Sequence, residues 1–150
     1  MATLHEARNA GELDAARQLF TEYARHVDAP CCFVGFEAEL AGLPGPYFAL
    51  ILAEEDNTHA GCVAVRSLEN GAAEMKRLYV RPAYRARGLR RILAQEAIEA
   101  ARRTGHSRLL LDSLPSMREA RALYRALGFT EVAPYLAEPT PGATCFEIKV

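Results

Sequence analysis

An arginine-rich loop at residues 81–91 carries the clearest chemistry in this 150-residue chain. The formal net charge of the chain is only −1, yet five arginines fall within this loop: Arg81, Arg85, Arg87, Arg90 and Arg91. Such a concentration of guanidinium groups favours the binding of an anion. Gly88 lets a ligand approach the backbone, and the helical pattern after it provides N–H groups without internal partners. A strand, a glycine turn and a helix in this order therefore predict a phosphate site.

Two known phosphate motifs do not match this loop. It lacks the Gly-Lys-Ser or Gly-Lys-Thr end of a P-loop, and it lacks the three glycines of a dinucleotide fingerprint. ATP and NAD are therefore poor candidates for its ligand. The alternative interpretation is a solvated basic turn that begins a helix.

Length and composition limit the classes of protein that the chain can represent. With 150 residues, 50% of them hydrophobic and 25% charged, one ordinary domain with a sizeable core is expected. A net charge near zero argues against a dedicated nucleic-acid binder. There is no apolar run long enough to span a membrane and no basic-then-apolar N-terminal signal, so a cytoplasmic protein is expected.

Cysteines and histidines give no metal or disulfide pattern. The cysteines are Cys31, Cys32, Cys62 and Cys145, and adjacent cysteines rarely form a bridge with each other. We therefore expect reduced thiols. The histidines are His5, His26, His59 and His106, which show no ligand spacing. No metal site is expected.

Two helices are predicted before the loop. Asn9 and Glu12 form a capping box for the first helix, which stops at residues 28–30. Its apolar stripe consists of Leu13, Ala16, Phe20, Tyr23 and Val27. A shorter helix is predicted over residues 33–40, and the glycine- and proline-rich segment 42–46 ends it.

Alternating apolar residues predict the strands that precede the loop. These strands cover residues 2–7, 47–53, 60–68 and 73–80. The last three form an antiparallel meander, joined by a polar turn at 54–57 and by Asn70–Gly71, a strong hairpin signal.

A βαβ unit is predicted around and beyond the loop. Its helix begins at Leu89 and ends before Gly105, which fits the C′ position. The apolar face of this helix consists of Leu89, Ile92, Leu93, Ala97, Ala100 and Ala101. Residues 108–112 form a strand buried on both faces, which we expect to lie parallel to residues 73–80.

The C-terminal part of the chain contains one more helix between strands. Ser116 and Glu119 predict a capping box for this helix, and Gly128 predicts its end. Its apolar stripe consists of Ala120, Leu123, Tyr124 and Leu127. A strand, a proline-rich connection and a last strand follow at residues 129–132, 134–142 and 144–150.

Two motifs in these elements resemble a known family. Residues 80–90 read Val-x-Pro-x-x-Arg-x-x-Gly-x-Arg. This resembles the pyrophosphate-binding signature of the GNAT superfamily of acyl-CoA-dependent N-acyltransferases, in which Gln or Arg is followed three residues later by Gly and then, after one residue, by Gly or Ala. Residues 120–129 read Ala-x-x-Leu-Tyr-x-x-x-Gly-Phe, similar to a second mark of the family. The order of strands and helices fits the family over nearly the whole chain.

The resemblance implies a fold and a cofactor. The fold is α+β, a twisted mixed sheet of six to seven strands flanked by about four helices, in a single domain of residues 1–150. The cofactor is acetyl-CoA or a related acyl-CoA, whose pyrophosphate binds the loop and whose pantetheine arm runs along the strand before it. The implied cofactor-binding residues are Leu78, Tyr79, Val80, Arg85, Ala86, Arg87, Gly88, Leu89, Arg90, Ser113 and Met117.

Two positions depart from the family pattern. Arg90 stands where the family usually has Gly or Ala, so its side chain must point outward or reach the 3′-phosphate of the nucleotide. Met117 stands where many members have Asn, which removes one expected polar contact to the cofactor arm.

Acyl transfer to an amine needs a base and a proton donor, because the pKa of an alkyl amine is about 10.4 and that of a thiol about 8.5. The resemblance implies that Glu74 is the general base, directly or through water; pairing with Lys76 or Arg77 is the alternative. It implies that Tyr124 is the general acid for the thiolate; a core aromatic is the alternative. The predicted walls of the acceptor site include Phe36 and Tyr135.

The sequence thus predicts an N-acetyltransferase that moves an acetyl group from acetyl-CoA to a primary amine of a small molecule or peptide, by direct attack in a ternary complex. The alternatives are acetylation of a protein N-terminus or lysine, a non-catalytic acyl-CoA sensor, and an RNA-binding surface made of the arginine loop. No nucleic-acid or membrane partner is expected, and the chain is predicted to be a monomer or a homodimer. The acceptor itself is not predicted.

Overall fold

A computed structural model of the chain describes residues 2–27 and 33–150. Its strands are β1 (Thr3–Glu6), β2 (Tyr47–Glu55), β3 (Thr58–Ser67), β4 (Ala72–Val80), β5 (Arg108–Ser113), β6 (Thr130–Val132) and β7 (Thr144–Lys149). They form one mixed sheet in the order β1-β2-β3-β4-β5-β7-β6. The α+β fold with a mixed sheet of up to seven strands is therefore confirmed.

Helices cover both faces of this sheet. They are α1 (Ala10–His26), α2 (Phe36–Ala41), α3 (Leu89–Arg103) and α4 (Arg118–Leu127). The buried residues of α3 and α4 share one apolar core with the sheet, and those of α1 share a second core on the opposite face, against which α2 also packs. Among the described residues, no helix has the length and apolar character needed to cross a membrane.

The central parallel pair of strands separates soon after it forms. β4 pairs with β5 at Ala72, Ala73 and Glu74, and the pairing ends there. Beyond this point β4 continues along β3 as far as Val80, whereas β5 continues along β7 as far as Ser113. The edge of β4 at residues 75–80 therefore faces a cleft instead of a strand, as the resemblance implies.

A β-bulge interrupts β4 inside this open stretch. Ala64 of β3 pairs with Lys76 and Cys62 pairs with Tyr79, so two residues of β4 lie opposite one residue of β3. Arg77, inside the bulge, has a φ of 60°. Bulges redirect the side chains that follow them. Arg77 and Tyr79 both reach the face that α1 and α2 cover.

Several predicted boundaries are confirmed and others are wrong. The capping box of Asn9 at the start of α1 forms as predicted. The predicted capping box of Ser116 is wrong, because α4 begins at Arg118 with Met117 at its N-cap and no side-chain cap. The second helix begins at Phe36 instead of residue 33, since Gly35 takes a left-handed conformation there.

The buried face of α3 differs in part from the predicted one. Ile92 was expected in the core but is 39% exposed, whereas Ala94 and Ile98 are buried. The buried stripe runs through Leu93 and Ala97, which places Ile92 at its margin.

Of the cysteines, Cys62 and Cys145 are buried free thiols. The predicted helix stop at 28–30 and the adjacent cysteines 31 and 32 lie outside the described residues.

Candidate active site

The separation of β4 from β5 opens a cleft of about 830 Å³. Residues of α1, β4, β5, α4 and the segment after β6 form its walls. Of the predicted site residues, Leu78, Tyr79, Arg85, Arg90, Met117 and Tyr124 line it. The other predicted residues do not line the cleft: Phe36, Glu74, Val80, Ala86, Arg87, Gly88, Leu89, Ser113 and Tyr135. The structure thus brings together the middle of β4, the loop and α4.

The loop after β4 has a backbone suited to an anion. Ala86 and Gly88 have φ values of 65° and 80°. Gly88 is the N-cap of α3, and no side chain caps the N–H groups of the first turn. Uncapped N–H groups at a helix N-terminus beside left-handed residues form a concave site for negative charge. These residues fit the phosphate groups of a nucleotide cofactor.

Two of the loop arginines are committed to partners within the protein. Arg81 pairs with Glu22 of α1 at 2.8 Å. Arg87 lies 3.5 Å from Glu55, the last residue of β2, and 3.8 Å from Asp56 in the turn that follows. The concentration of positive charge that the sequence shows is therefore partly neutralised in the fold.

Arg85 and Arg90 are the loop arginines that line the cleft. The Nε of Arg85 donates a hydrogen bond of 3.0 Å to the carbonyl of Val80, which ties the loop to the end of β4. Arg90, at the position that departs from the family pattern, lies 4.0 Å from Glu119 of α4. Because Glu119 is almost fully exposed, this weak pairing leaves the Arg90 guanidinium available to an anion in the cleft.

Tyr124 projects from α4 into the cleft. Its ring packs against Phe129 and Phe146 at centroid distances of 5.7 and 6.0 Å. In the described part of the chain, its hydroxyl has no hydrogen-bond partner. Burial raises the pKa of Tyr124 above its ordinary value, so the phenol stays protonated at neutral pH. The hydroxyl is therefore a proton donor without an acceptor among residues 2–27 and 33–150.

Glu74 occupies a closed position beside the cleft. Its side chain is fully buried, and Arg66 donates from Nε to Oε1 at 2.7 Å. Tyr135 donates from its hydroxyl to Oε2 at 2.5 Å. Arg66 is thus its salt-bridge partner, in place of the Lys76 or Arg77 named as alternatives. Both carboxylate oxygens of Glu74 are thus occupied by hydrogen bonds. Of Glu74, Arg66 and Tyr135, Arg66 is the residue that lines the cleft, so an amine in the cleft cannot contact Glu74 directly.

A second buried ion pair joins α2 to β4 in the wall of the cleft. Arg77 bonds Glu39 of α2 at 2.7 Å, and the hydroxyl of Tyr47 donates to the same carboxylate at 2.8 Å. Burial alone would raise the pKa of Glu39, but the hydrogen bonds and charge of Arg77 outweigh it and lower that pKa. The guanidinium of Arg77 also lies over the rings of Phe33 and Phe36. Phe36 therefore supports this wall from behind.

Lys76 has no carboxylate partner within 4.0 Å among residues 2–27 and 33–150. It lines the cleft next to Arg77 and contributes to the electrostatic potential at Glu39. A strongly hydrated ammonium group at a cleft wall favours ligands that carry negative charge.

Ser113 ends β5 at the place where the two parallel strands have separated. Its Oγ is buried and has no hydrogen-bond partner in the described part of the chain. A buried hydroxyl of this kind is normally satisfied by a bound ligand or a water. The resemblance implies that Ser113 binds the cofactor, but its side chain does not line the cleft.

Sequence patterns did not reveal Glu22, Glu39 and Arg66 as partners of the β4 side chains. Glu22 and Glu39 form ion pairs with residues 59 and 38 positions away along the chain, whereas Arg66 lies directly opposite Glu74 in the β3–β4 pair. The available signal was a set of charged residues within apolar segments, and such charges are usually solvated. The partners follow only from the register of the sheet and the placement of α1 and α2.

Comparisons with known proteins identify the family that shares these features. The sequence profile of the acetyltransferase (GNAT) family matches residues 13–129. An uncharacterized N-acetyltransferase of Schizosaccharomyces pombe is 32% identical over 145 residues, which cover 93% of this chain and 89% of the relative. An IAA acetyltransferase of Azospirillum brasilense is 31% identical over 131 residues, which cover 86% of each chain.

A solved structure shows the same architecture. The structure of yncA of Salmonella typhimurium, determined with its cofactor acetyl-CoA, matches with a TM-score of 0.73 over 99% of this chain and 94% of that chain. The two sequences are 20% identical, so this likeness establishes the fold alone.

Proposed function

Because this chain belongs to the GNAT family of acetyltransferases, we propose that it transfers an acetyl group from acetyl-CoA to a primary amine of a small molecule or peptide, by direct attack in a ternary complex. The family uses acetyl-CoA, and the chain is an acyltransferase. The observation that carries the proposal is the open edge of β4 beside the uncapped N-terminus of α3.

This geometry supports a proposal for the residues that would hold the cofactor. Backbone N–H groups between Ala86 and Arg90 would bind the pyrophosphate, with Arg85 and Arg90 adding charge. The backbone of Leu78–Val80 would pair with the amides of the pantetheine arm, since no strand occupies that edge. When bound, acetyl-CoA supplies a thioester carbonyl as the electrophile.

Tyr124 would stabilise the departing thiolate. Its hydroxyl would donate a hydrogen bond to the thioester sulfur, which takes the electron pair of the carbon–sulfur bond when the amine displaces it. The pKa of the Tyr124 phenol lies above that of a thiol. The proton would therefore stay mainly on the phenol oxygen and form a hydrogen bond to the sulfur, instead of moving fully to it. A hydrogen bond to an ionised acceptor contributes about 1.5–3 kcal/mol.

Glu74 would accept the proton of the amine only through an intervening water. Its oxygens are held by Arg66 and Tyr135, and the side chain itself is buried. The alternative is that Glu74 only positions Arg66 at the cleft wall. The two roles differ in the pH dependence that they predict.

Lys76 points to the kind of acceptor. A cation at the cleft wall with no carboxylate within 4.0 Å among the described residues favours an amine that also carries an anionic group, such as the carboxylate of an amino acid. It disfavours a lysine side chain within a basic peptide, since like charges would meet in the cleft.

A thiol-release assay with acetyl-CoA and paired acceptors tests the proposal. Each amino acid is compared with its amide, which keeps the amine and removes the carboxylate. We expect release above the hydrolysis background, and faster release with the amino acids. Lys76→Met should reduce that preference, whereas Lys149→Met, at the exposed end of β7, should leave it unchanged.

The possible failures are distinct. If no amine gives release while CoA still raises the melting temperature, the chain is a binding module instead of an enzyme. If amides and amino acids react equally, acetyl transfer stands and the role of Lys76 does not.

A further inference from the structure

Three potential metal ligands meet on neighbouring strands outside the cleft lining. They are His5 of β1, Glu54 of β2 and His59 of β3, all half-buried. One ring nitrogen of each histidine and one carboxylate oxygen of Glu54 lie within 4.8 Å of one another. Each side chain thus offers a ligand atom to the same point.

The register of the sheet explains this convergence. Glu54 lies directly opposite His59 in the β2–β3 pair and directly opposite Thr3 in the β1–β2 pair. His5 is two residues beyond Thr3, so it is the diagonal neighbour of Glu54 on the same face. A register shift next to Glu54 leaves Ala60 unpaired and brings His59 onto that face.

A carboxylate from α1 supports one of the histidines. Glu12 Oε1 accepts from the N–H groups of Arg8 and Asn9 in the capping box. Its other oxygen, Oε2, lies 3.1 Å from His5 Nε2. Metal-binding histidines commonly donate their second ring N–H to such a carboxylate, which fixes the orientation of the ring. Glu12 is itself held by the backbone, so His5 is oriented by a rigid partner.

His59 supplies an independent sign of an available ligand. Its Nδ1 is buried and has no hydrogen-bond partner within the described residues. Buried polar atoms are normally satisfied, and a nitrogen without a partner is free to bind a metal. The rings of His5 and His59 lie 5.8 Å apart, centroid to centroid, and neither stacks in parallel on the other.

We propose that His5, Glu54 and His59 bind one divalent transition-metal ion, with Zn²⁺ as the ion whose preferences they match. Two imidazoles and a carboxylate are a known zinc donor set, with a fourth position left for water. Zinc–ligand bonds of about 2.0–2.2 Å place tetrahedral ligands about 3.4 Å apart. A small rotation of these half-buried side chains therefore closes the coordination shell.

The ion would have a structural role. β1 is a four-residue strand at the edge of the sheet. A metal held by β1, β2 and β3 would join this short edge strand to the centre of the sheet. Because the unfolded chain has no such site, metal binding would add to the stability of the fold.

Calorimetric titration of the chelator-treated protein with ZnCl₂ tests the site. We expect one equivalent to bind, with affinity lowered at least tenfold in His5→Gln, in His59→Gln and in Glu54→Gln. His106→Gln is the matched control, because that ring bonds Ser67 and Thr104 away from the cluster. The control should bind as the parent does, and circular dichroism should show that all four variants are folded.

Two further readouts decide the outcome if a histidine variant is unstable. Co²⁺, used as a spectroscopic substitute, should give d–d bands without a thiolate-to-cobalt charge-transfer band. Zn²⁺ should raise the melting temperature of the parent and not that of Glu54→Gln. Absence of binding to the parent, unchanged affinity in the variants, or a thiolate charge-transfer band would each overturn the proposal.

Discussion

The hydroxyl of Tyr135 donates a hydrogen bond of 2.5 Å to Oε2 of Glu74, which lies 61 positions earlier in the chain. This bond ties the segment after β6 to the centre of the sheet. Burial, reinforced by the charge of Glu74, raises the pKa of Tyr135 well above its ordinary value. The phenol therefore keeps its proton at neutral pH, and the bond persists there.

Removal of this hydroxyl should destabilise the fold. Tyr135→Phe leaves one oxygen of a buried carboxylate without a partner, and we expect a loss of about 1–3 kcal/mol in the free energy of unfolding. Urea denaturation measures it. Tyr84→Phe is the control, because the Tyr84 hydroxyl has no hydrogen-bond partner among the described residues. Equal stability of the two variants would show that the Tyr135 bond contributes nothing.

Glu74→Gln should separate proton transfer from positioning. If Glu74 accepts the amine proton through water, kcat should fall by about 10²-fold or more, and the acidic limb of the pH–rate profile should disappear. Tyr135→Phe, which keeps the carboxylate, should retain that limb. Identical profiles for the two variants would leave Glu74 with a positioning role only.

Tyr124→Phe should slow catalysis without weakening the fold. We expect kcat to fall about 10- to 100-fold, since a hydrogen bond to a developing thiolate is lost. Stability should change by less than about 0.5 kcal/mol, because the hydroxyl has no acceptor in the described part of the chain. Full activity across the pH range would exclude the role of general acid.

Gly88→Ala should destabilise the fold and, in addition, weaken the binding of the cofactor. The φ of Gly88 is +80°, and a Cβ built there meets nothing within 4 Å. The intrinsic cost is therefore backbone strain of about 1–2 kcal/mol. Gly105 has the same φ and the same free space but lies at the other end of α3.

Gly105→Ala is accordingly the matched control for Gly88→Ala. Both variants should lose similar stability in thermal unfolding. Only Gly88→Ala should raise the Kd for CoA in a calorimetric titration, because its methyl group stands at the proposed anion site. Equal Kd values would remove the loop backbone from the binding site.

Stability should fall in acid because of carboxylates with lowered pKa values. Hydrogen bonding to Arg81 lowers the pKa of Glu22, and Arg77 lowers that of Glu39 against the effect of burial. A carboxylate with a lowered folded pKa contributes stability that is fully present above its unfolded value of 4.5. That contribution is lost as the pH falls below 4.5 and through the folded pKa.

Glu39→Gln tests this dependence. The variant should be less stable than the parent at pH 7, and the difference between them should shrink below pH 4.5. Urea midpoints measured at both pH values give the comparison. If variant and parent differ in stability by the same amount at both pH values, the charge of Glu39 does not contribute to stability.

Local signals explain why much of the fold could be predicted. Asn70 and Gly71 both adopt positive φ values, as a tight hairpin turn requires, and Gly105 and Gly128 do so at helix ends. These conformations depend on one or two residues and their neighbours. The order of elements around the loop followed from the same kind of signal.

Features that depend on tertiary packing were not predictable. Ser116 has the sequence of a cap, but the turn after β5 delays the helix to Arg118. The bulge at Arg77 reverses the alternation of β4 and so determines that Arg77 meets Glu39. The three residues His5, Glu54 and His59 show no ligand spacing along the chain, because register across three strands brings them together.

The open edge of β4 also bears on how the protein avoids association with itself. An unpaired strand edge is a template for the addition of another chain, and proteins normally protect such edges. Here the edge at residues 75–80 lies inside the sheet, with Met117 and Tyr124 on the wall of the cleft beside it. A polypeptide strand could pair with this edge only by entering the cleft beside that wall. The fold thus keeps the hydrogen-bonding capacity of a sheet edge away from the outer rim of the sheet, where strands of other molecules add most easily.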